Sequence, residues 1–200
     1  MDEAALITAA VQGDLNSFNR LVLVYQEAVF NQAYRLIGDP HAAEDAAQEA
    51  FISAFRNLKA YRGGSFRAWL LRIVTNASYD ELRRRKRRPT TPLEPIDAEE
   101  EEIESPTWLA DPGETPESRT ERVELNRAIQ NCLEGLSPDF RAAVVLVDVQ
   151  GLDYDEAALS VGAPVGTIKS RLARARERLR DCLQGFWELL PPEFRLLEES

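Results

Sequence analysis

The chain has 200 residues, 44% of them hydrophobic, and a formal net charge of -10. That length holds one large domain or two small ones, and no apolar stretch approaches the roughly 18 residues of a membrane span, so membrane insertion is not expected. Met1-Asp2-Glu3-Ala4 carries neither a basic nor an apolar leader segment, so no secretory signal is predicted.

A single His makes a zinc site improbable. Cys132 and Cys182 have neither CxxC spacing nor metal-site partners, and they read as small buried or half-buried hydrophobes in a reducing cytoplasm. No metal and no cofactor are expected. The acidic total argues against nucleic acid as a partner, but its distribution reverses the argument. Residues 89–118 hold ten acidic side chains and no Lys or Arg, which leaves the rest of the chain near neutral. Arg83 to Arg88 is a run of six cations, and Lys169 to Arg180 carries six cations against the single acid Glu177. Blocks of one sign mark tails, linkers or binding faces.

Residues 2–88 read as helices with short breaks. Gly13-Asp14 interrupts the first, with Asp14 as an N-cap. Phe18, Leu21, Val22, Tyr25, Val29, Ala33 and Leu36 then recur at helical spacing, forming one buried face. Gly38-Asp39-Pro40 stops that helix and starts the next, with Asp39 as cap and Pro40 in the first turn. The helix over 40–57 is predicted to turn Ala43, Ala47, Ala50, Phe51, Ala54 and Phe55 inward. Tyr61 to Ser65 reads as a loop. Ser65 caps a helix that runs through Trp69, Leu70, Ile73, Ala77 and Leu82 into the Arg run.

Residues 89–118 contain six prolines and the acid run Glu99 to Glu102. Such a segment cannot bury enough surface to offset its chain entropy, so it is predicted to be a flexible linker. Trp108 stands out there, either as a docking point or as a local collapse onto a neighbouring domain. Helices are predicted again over 119–134 and from Ser137 to Val149, followed by three more. Ser137-Pro138 is an N-cap with Pro in the first turn, and Asp153 with Glu156 forms a capping box. A short apolar helix from Cys182 to Leu190 and a Pro191-Pro192 stop close the pattern. No strand-length alternation occurs, so the fold class is all-α: two small helical domains joined by an acidic linker. The boundaries are 1–88, 89–118, 119–190 and a tail over 191–200.

The most informative segment is 153–180. A short capped helix meets Gly162-Ala163-Pro164, and a second helix begins at Val165. This is helix-turn-helix geometry, in which the second helix enters the DNA major groove. Ile168, Leu172, Ala175 and Leu179 form its packed face. Gly166, Thr167, Lys169, Ser170, Arg171, Ala173 and Arg174 lie opposite or on the flanks. A basic amphipathic helix that merely solubilises a bundle is the blander alternative.

The helix-turn-helix residues from Gly151 to Ala158 and Pro164 to Arg176 resemble the promoter-reading region 4 of sigma-70 family factors, closest to the extracytoplasmic-function group. Ala43 to Phe51 is similar to that family's region 2.2, and Phe66 to Asn76 resembles its regions 2.3 and 2.4. The match spans nearly the whole chain outside the linker and the last ~15 residues.

The resemblance implies that Asp45, Gln48, Glu49 and Phe51 dock the β′ coiled coil of core RNA polymerase, whose β flap is a further partner. It implies minus-10 contacts from Arg62, Gly63, Gly64, Ser65, Phe66, Trp69, Arg72 and Asn76. There Tyr61, Phe66 and Trp69 offer stacking, although Trp69 also reads as core. Arg83, Arg84 and the cations after them would hold phosphates. For the minus-35 element it points to Gly166, Thr167, Lys169, Ser170, Arg171 and Arg174. Some relatives carry a basic residue near the position of Val147, and its absence leaves the exact minus-35 sequence open. The family's linker threads the polymerase's RNA-exit path. A polyacidic segment suits that place, and neutralising Glu99 to Glu102 is expected to raise the free factor's DNA affinity. An anti-sigma factor is a further partner that the family implies.

The expected function is therefore a cytoplasmic sigma factor, without catalytic activity, that brings core polymerase to promoter DNA. A stand-alone helix-turn-helix regulator is the alternative. An enzyme is disfavoured because the sequence has no P-loop, no His-centred site and no carboxylate constellation. Asp45 and Glu49 sit one turn apart, but nothing nearby completes a metal site.

Overall fold

The computed structural model describes residues 2–87 and 116–191. Its helices are α1 (Glu3–Val11), α2 (Leu15–Ile37), α3 (Pro40–Asn57), α4 (Phe66–Arg87), α5 (Pro116–Glu134), α6 (Pro138–Val144), α7 (Tyr154–Val161) and α8 (Val165–Gln184). Short 3-10 turns lie at Leu58–Ala60 and Trp187–Leu189, and there is no strand among the described residues. Trp108, the Glu99 to Glu102 run and Arg88 lie outside the described residues.

The helix starts follow the capping chemistry. Asp14 accepts from the N–H groups of Asn16 and Ser17 at 3.1 and 3.3 Å, and Asp39 accepts from Ala42 N–H at 2.7 Å. Each such cap contributes about 1 kcal/mol. Gly38 ends α2 at φ 86°, a left-handed value that favours glycine. A Cβ there would meet only the Glu134 carboxylate, the end of an exposed side chain that can move aside.

The first four helices form a bundle in which α2, α3 and α4 pack on one another and α1 lies on α2. The buried face of α3 is entirely alanine: Ala42, Ala43, Ala46, Ala47, Ala50 and Ala54. Small side chains let the neighbouring backbones approach closely. Phe55, expected inward, is 39% exposed and meets Phe18 only at the rim, with ring centroids 5.0 Å apart. Along the i, i+4 row Ala47, Phe51, Phe55 burial falls off, so Phe55 lies at the edge of the buried stripe.

The last four helices differ from expectation in three places. The helix α5 begins at Pro116, inside the predicted linker, because Pro suits a first helical position. The predicted helix over 137–149 is α6 followed by a π-helical turn at Val145–Val149, marked by Gln150 N–H donating to Val145 O at 2.9 Å. Val144, at the end of α6, and Val145 and Leu146, which open the turn, are all buried. The helix α8 runs on to Gln184, so Cys182 belongs to it rather than to a separate helix.

The cysteines are not free hydrophobes. Cys132 on α5 and Cys182 on α8 form a disulfide with Cα atoms 5.8 Å apart. Cys132 is buried as expected, but Cys182 is exposed. Nothing local in the sequence joins two positions 50 residues apart.

The two halves are in contact. One hydrophobic cluster contains Leu70 and Val74 together with Leu146, Leu152, Ala157 and Ile168. Three polar fasteners accompany it. Arg141, 8% exposed, donates to the carbonyls of Leu36 and Glu134 at 2.6 and 2.8 Å. Arg67 donates to the Gln150 carbonyl and to Gln150 Oε1, while Gln150 Nε2 donates to Ala28 O at 3.1 Å. Arg35 donates to Asn126 Oδ1 at 2.9 Å. Burial lowers the pKa of both Arg141 and Arg35 from the ordinary guanidinium value.

Candidate nucleic-acid interface

The helix-turn-helix is built as its sequence predicts. Asp153 accepts from Glu156 N–H at 2.8 Å and Glu156 Oε2 accepts from Asp153 N–H at 3.2 Å, completing the capping box. Gly162 turns the chain at φ 67°. Ile168, Leu172 and Ala175 are buried, and Leu179 is partly buried, so the packed face of α8 is as expected. Gly166, Lys169, Ser170 and Arg174 are exposed, and Thr167 and Arg171 are intermediate. The helix opens on Pro164 without a side-chain cap. Its first-turn N–H groups therefore suit a phosphate.

The structure sorts the cations of this face. Arg171 donates to Asp139 at 2.5 Å and Arg176 to Asp148 at 2.6 Å, which ties both to α6 and the π-helical turn. That bond raises the pKa of Arg176. Lys169 stands 5.3 Å over the Tyr154 ring, a contact that leaves its ammonium in solvent. Arg174 is exposed, and no ion pair holds it among the described residues. Lys169 and Arg174 are thus the cations most available to a ligand.

On α4, Trp69, Arg72 and Asn76 follow helical spacing along one face, with Arg72 and Asn76 exposed and Trp69 intermediate. Gly63 and Gly64 take left-handed φ values of 92° and 89° in the preceding loop, and Tyr61 donates to Gly64 O at 2.6 Å. Ser65 accepts from Ala68 N–H at 3.0 Å, as the predicted cap. Arg62 is exposed and donates to Lys59 O. Phe66 departs from expectation. At 2% exposure it sits in the core, against Tyr25, Tyr61 and Trp69, with centroids 5.7, 5.4 and 5.4 Å away. It supports the two outer rings rather than offering a stacking face, so Tyr61 and Trp69 are the rings that remain at the surface.

Farther along α4, Arg83 pairs with Asp80, Arg84 with Glu81, and Arg85 with both Glu81 and Asp39. Burial raises the pKa of Asp39, but the Ala42 N–H bond and the Arg85 charge outweigh it and hold the carboxyl below its ordinary value. Arg72 also lines a groove with Asp155, Ala158 and Leu159, where the helix-turn-helix leans on α4.

The exposed face of α3 carries Asp45, Gln48 and Glu49, with Phe51 half-buried beside them. Ile52 and Phe55 extend that face, at 40% and 39% exposure. Sequence reasoning missed both as surface residues. It also missed Arg141 and Gln150, which carry no local motif.

A helical bundle and a helix-turn-helix on one chain define a DNA-binding protein of two helical domains. The comparisons identify the family. The sigma-70 region 2 model matches residues 21–88 and the sigma-70 region 4 model matches residues 126–179. The RNA polymerase sigma-H factor of Pseudomonas aeruginosa is 37% identical over 180 residues, covering 90% of this chain and 92% of that one. The extracytoplasmic-function RNA polymerase sigma-E factor of Escherichia coli is 37% identical over 188 residues, covering 92% and 95%. The corresponding sigma factor SigE of Mycolicibacterium smegmatis is 40% identical over 172 residues, and the chain spans 63% of its length. Among solved structures, the sigma factor RpoE in complex with the anti-sigma factor NepR from Bartonella quintana is 29% identical, covering 85% of this chain and 98% of that one with TM-score 0.64. The chain belongs to the extracytoplasmic-function group of the sigma-70 family. Its function is that of a sigma factor, which binds core RNA polymerase and directs promoter-specific initiation.

Proposed function

We propose that the three exposed faces divide the work of initiation. Asp45, Gln48 and Glu49 on α3, with Phe51 beside them, meet the β′ coiled coil of core polymerase. Carboxylates suit Arg on the partner, and Ile52 and Phe55 extend the contact with apolar area. Tyr61, Trp69, Arg72 and Asn76, with the Arg62 to Ser65 loop, hold the minus-10 element, and Phe66 supports them from the core. Arg83 and Arg84 favour phosphates. Lys169 and Arg174 lead the minus-35 contacts, with Gly166, Thr167 and Ser170 at the groove end of α8 and Arg171 positioning it. The β flap of polymerase meets the second domain.

The chain acts in the cytoplasm, where polymerase works, and performs no chemistry itself. An anti-sigma factor holds it in the resting cell; the solved neighbour bound to NepR supports that reading. Residues 1–88 and 116–190 act as the two domains, joined by 89–115 and followed by a tail over 191–200. The observation that carries the proposal is the separation of the acidic α3 face from the basic α8 face on one chain.

Two variants test the division. Asp45→Arg should abolish co-elution with core polymerase while keeping the far-ultraviolet circular dichroism and melting curve of the native chain. Lys169→Ala with Arg174→Ala should co-elute normally yet lose promoter-dependent DNA retention by the holoenzyme. Loss of the same activity in both variants would refute the assignment.

A further inference from the structure

The disulfide between Cys132 and Cys182 has unlike ends. Cys132 is 2% exposed on α5, and Cys182 is exposed on α8. Arg178 precedes Cys182 by one helical turn and Arg180 by two residues, with Asp181 between Arg180 and Cys182. Arg180 pairs with Asp181 at 3.7 Å, whereas Arg178, over the Phe140 ring, shares the helix face of Cys182, and a cation there favours approach of a thiolate. The bond lies in the same helix that presents Lys169 and Arg174, and it ties that helix to α5. Where polymerase works the surroundings are reducing, and a disulfide in such a compartment is characteristically a transient, sensing bond.

We propose that Cys132–Cys182 is a thiol-exchange site, attacked at Cys182, through which a thiol or dithiol reductant loosens the DNA-reading half of the chain. A thiolate attacks Cys182 Sγ and forms a mixed disulfide. The Cys132–Cys182 bond breaks, and its electron pair leaves on Cys132, which takes up a proton. A second thiol then attacks the reductant's sulfur of the mixed disulfide and releases Cys182. Two electrons pass from the two reductant thiols, which end as a disulfide. A small-molecule or protein disulfide returns the pair to its bonded form by the reverse exchange. The bond closes a span of 50 residues, so its loss restores considerable freedom to the unfolded chain. The DNA consequence rests on the minus-35 reading of α8, whereas the exchange chemistry does not.

The test uses the full chain equilibrated in mixtures of oxidised and reduced dithiothreitol. The oxidised protein should show no thiol reactive toward a chromogenic aryl disulfide even when unfolded, and the reduced protein should show two once unfolded. Reduction should lower the melting temperature by on the order of 10 °C. At a temperature between the two melting points, reduced holoenzyme should bind a promoter duplex selected by the oxidised form roughly tenfold more weakly. In the single variants, the thiol of Cys132→Ala should react in the folded state, and that of Cys182→Ala only on unfolding. Equal melting temperatures, equal reactivity of the two single variants, or unchanged promoter binding between the melting points would each overturn the proposal. Failure of the oxidised holoenzyme to bind any promoter duplex would instead overturn the minus-35 reading. The wild-type redox comparison stands even if a single variant fails to fold.

Discussion

Replacing Arg174 with Ala separates DNA contact from folding more cleanly than any other substitution on α8. Arg174 is exposed and has no ion pair among the described residues, so its loss should change stability by less than about 0.5 kcal/mol. If it reads a base edge, promoter binding by the holoenzyme should weaken by about 1–3 kcal/mol, or roughly 5- to 150-fold. Arg171→Ala provides the contrast. Its guanidinium already meets Asp139 at 2.5 Å, and the side chain is 24% exposed. Breaking a partly exposed pair should cost up to about 1 kcal/mol of stability. Its effect on DNA should be the smaller of the two. The assay is fluorescence anisotropy of a labelled promoter duplex across a salt series, beside urea melts of each variant. A loss for Arg174→Ala confined to the cognate sequence marks a base contact. A uniform loss with the log–log salt slope reduced by about 1 marks a phosphate contact. Normal binding by Arg174→Ala, with a larger loss for Arg171→Ala at unchanged stability, would refute the sorting of these cations.

Further outcomes follow from the packing. Arg141→Ala strips the buried Leu36 carbonyl and the partly buried Glu134 carbonyl of a charged donor and should cost about 2–4 kcal/mol in urea unfolding. Gly38→Ala meets a φ of 86°, whereas the Glu134 carboxylate near its Cβ can move aside. It should destabilise by about 1–3 kcal/mol through backbone strain, and Glu134→Ala should recover little of that in a double-mutant cycle. Asp39 has a depressed folded pKa, so its contribution is present above the ordinary value of 3.8 and lost as pH falls through the folded value. The stability gap between the native chain and Asp39→Asn should therefore be constant near neutrality and shrink below pH 3.8. Arg67→Ala and Gln150→Ala should be non-additive in thermal melts, because the two side chains share a hydrogen-bonded contact between α4 and the turn after α6.

The features legible in the sequence are those set by neighbours along the chain. Asp14, Asp39 and Asp153 announce their helices because a cap is a contact over two or three residues. The burial of Ile168, Leu172 and Ala175 follows from spacing alone, and it fixes which side of α8 faces away. The misread features depend on partners remote in sequence. Phe66 looks like a surface aromatic beside two glycines until Tyr25 and Trp69 enclose it. Phe55 fits an inward period, but it lies at the edge of the buried stripe and stays exposed. The Val145–Val149 run reads as ordinary helix, and no residue in it marks the π-helical turn. Pairing of Cys132 with Cys182 needs α5 and α8 side by side, which no spacing rule foretells.

Run-off transcription with purified core RNA polymerase on a pool of bacterial promoter fragments tests the central claim most directly. Addition of this protein should produce new promoter-specific transcripts, and Asn76→Ala should abolish them while polymerase binding persists. Absence of any new transcript, together with specific DNA binding by the protein alone, would contradict the account and indicate a regulator that works without polymerase.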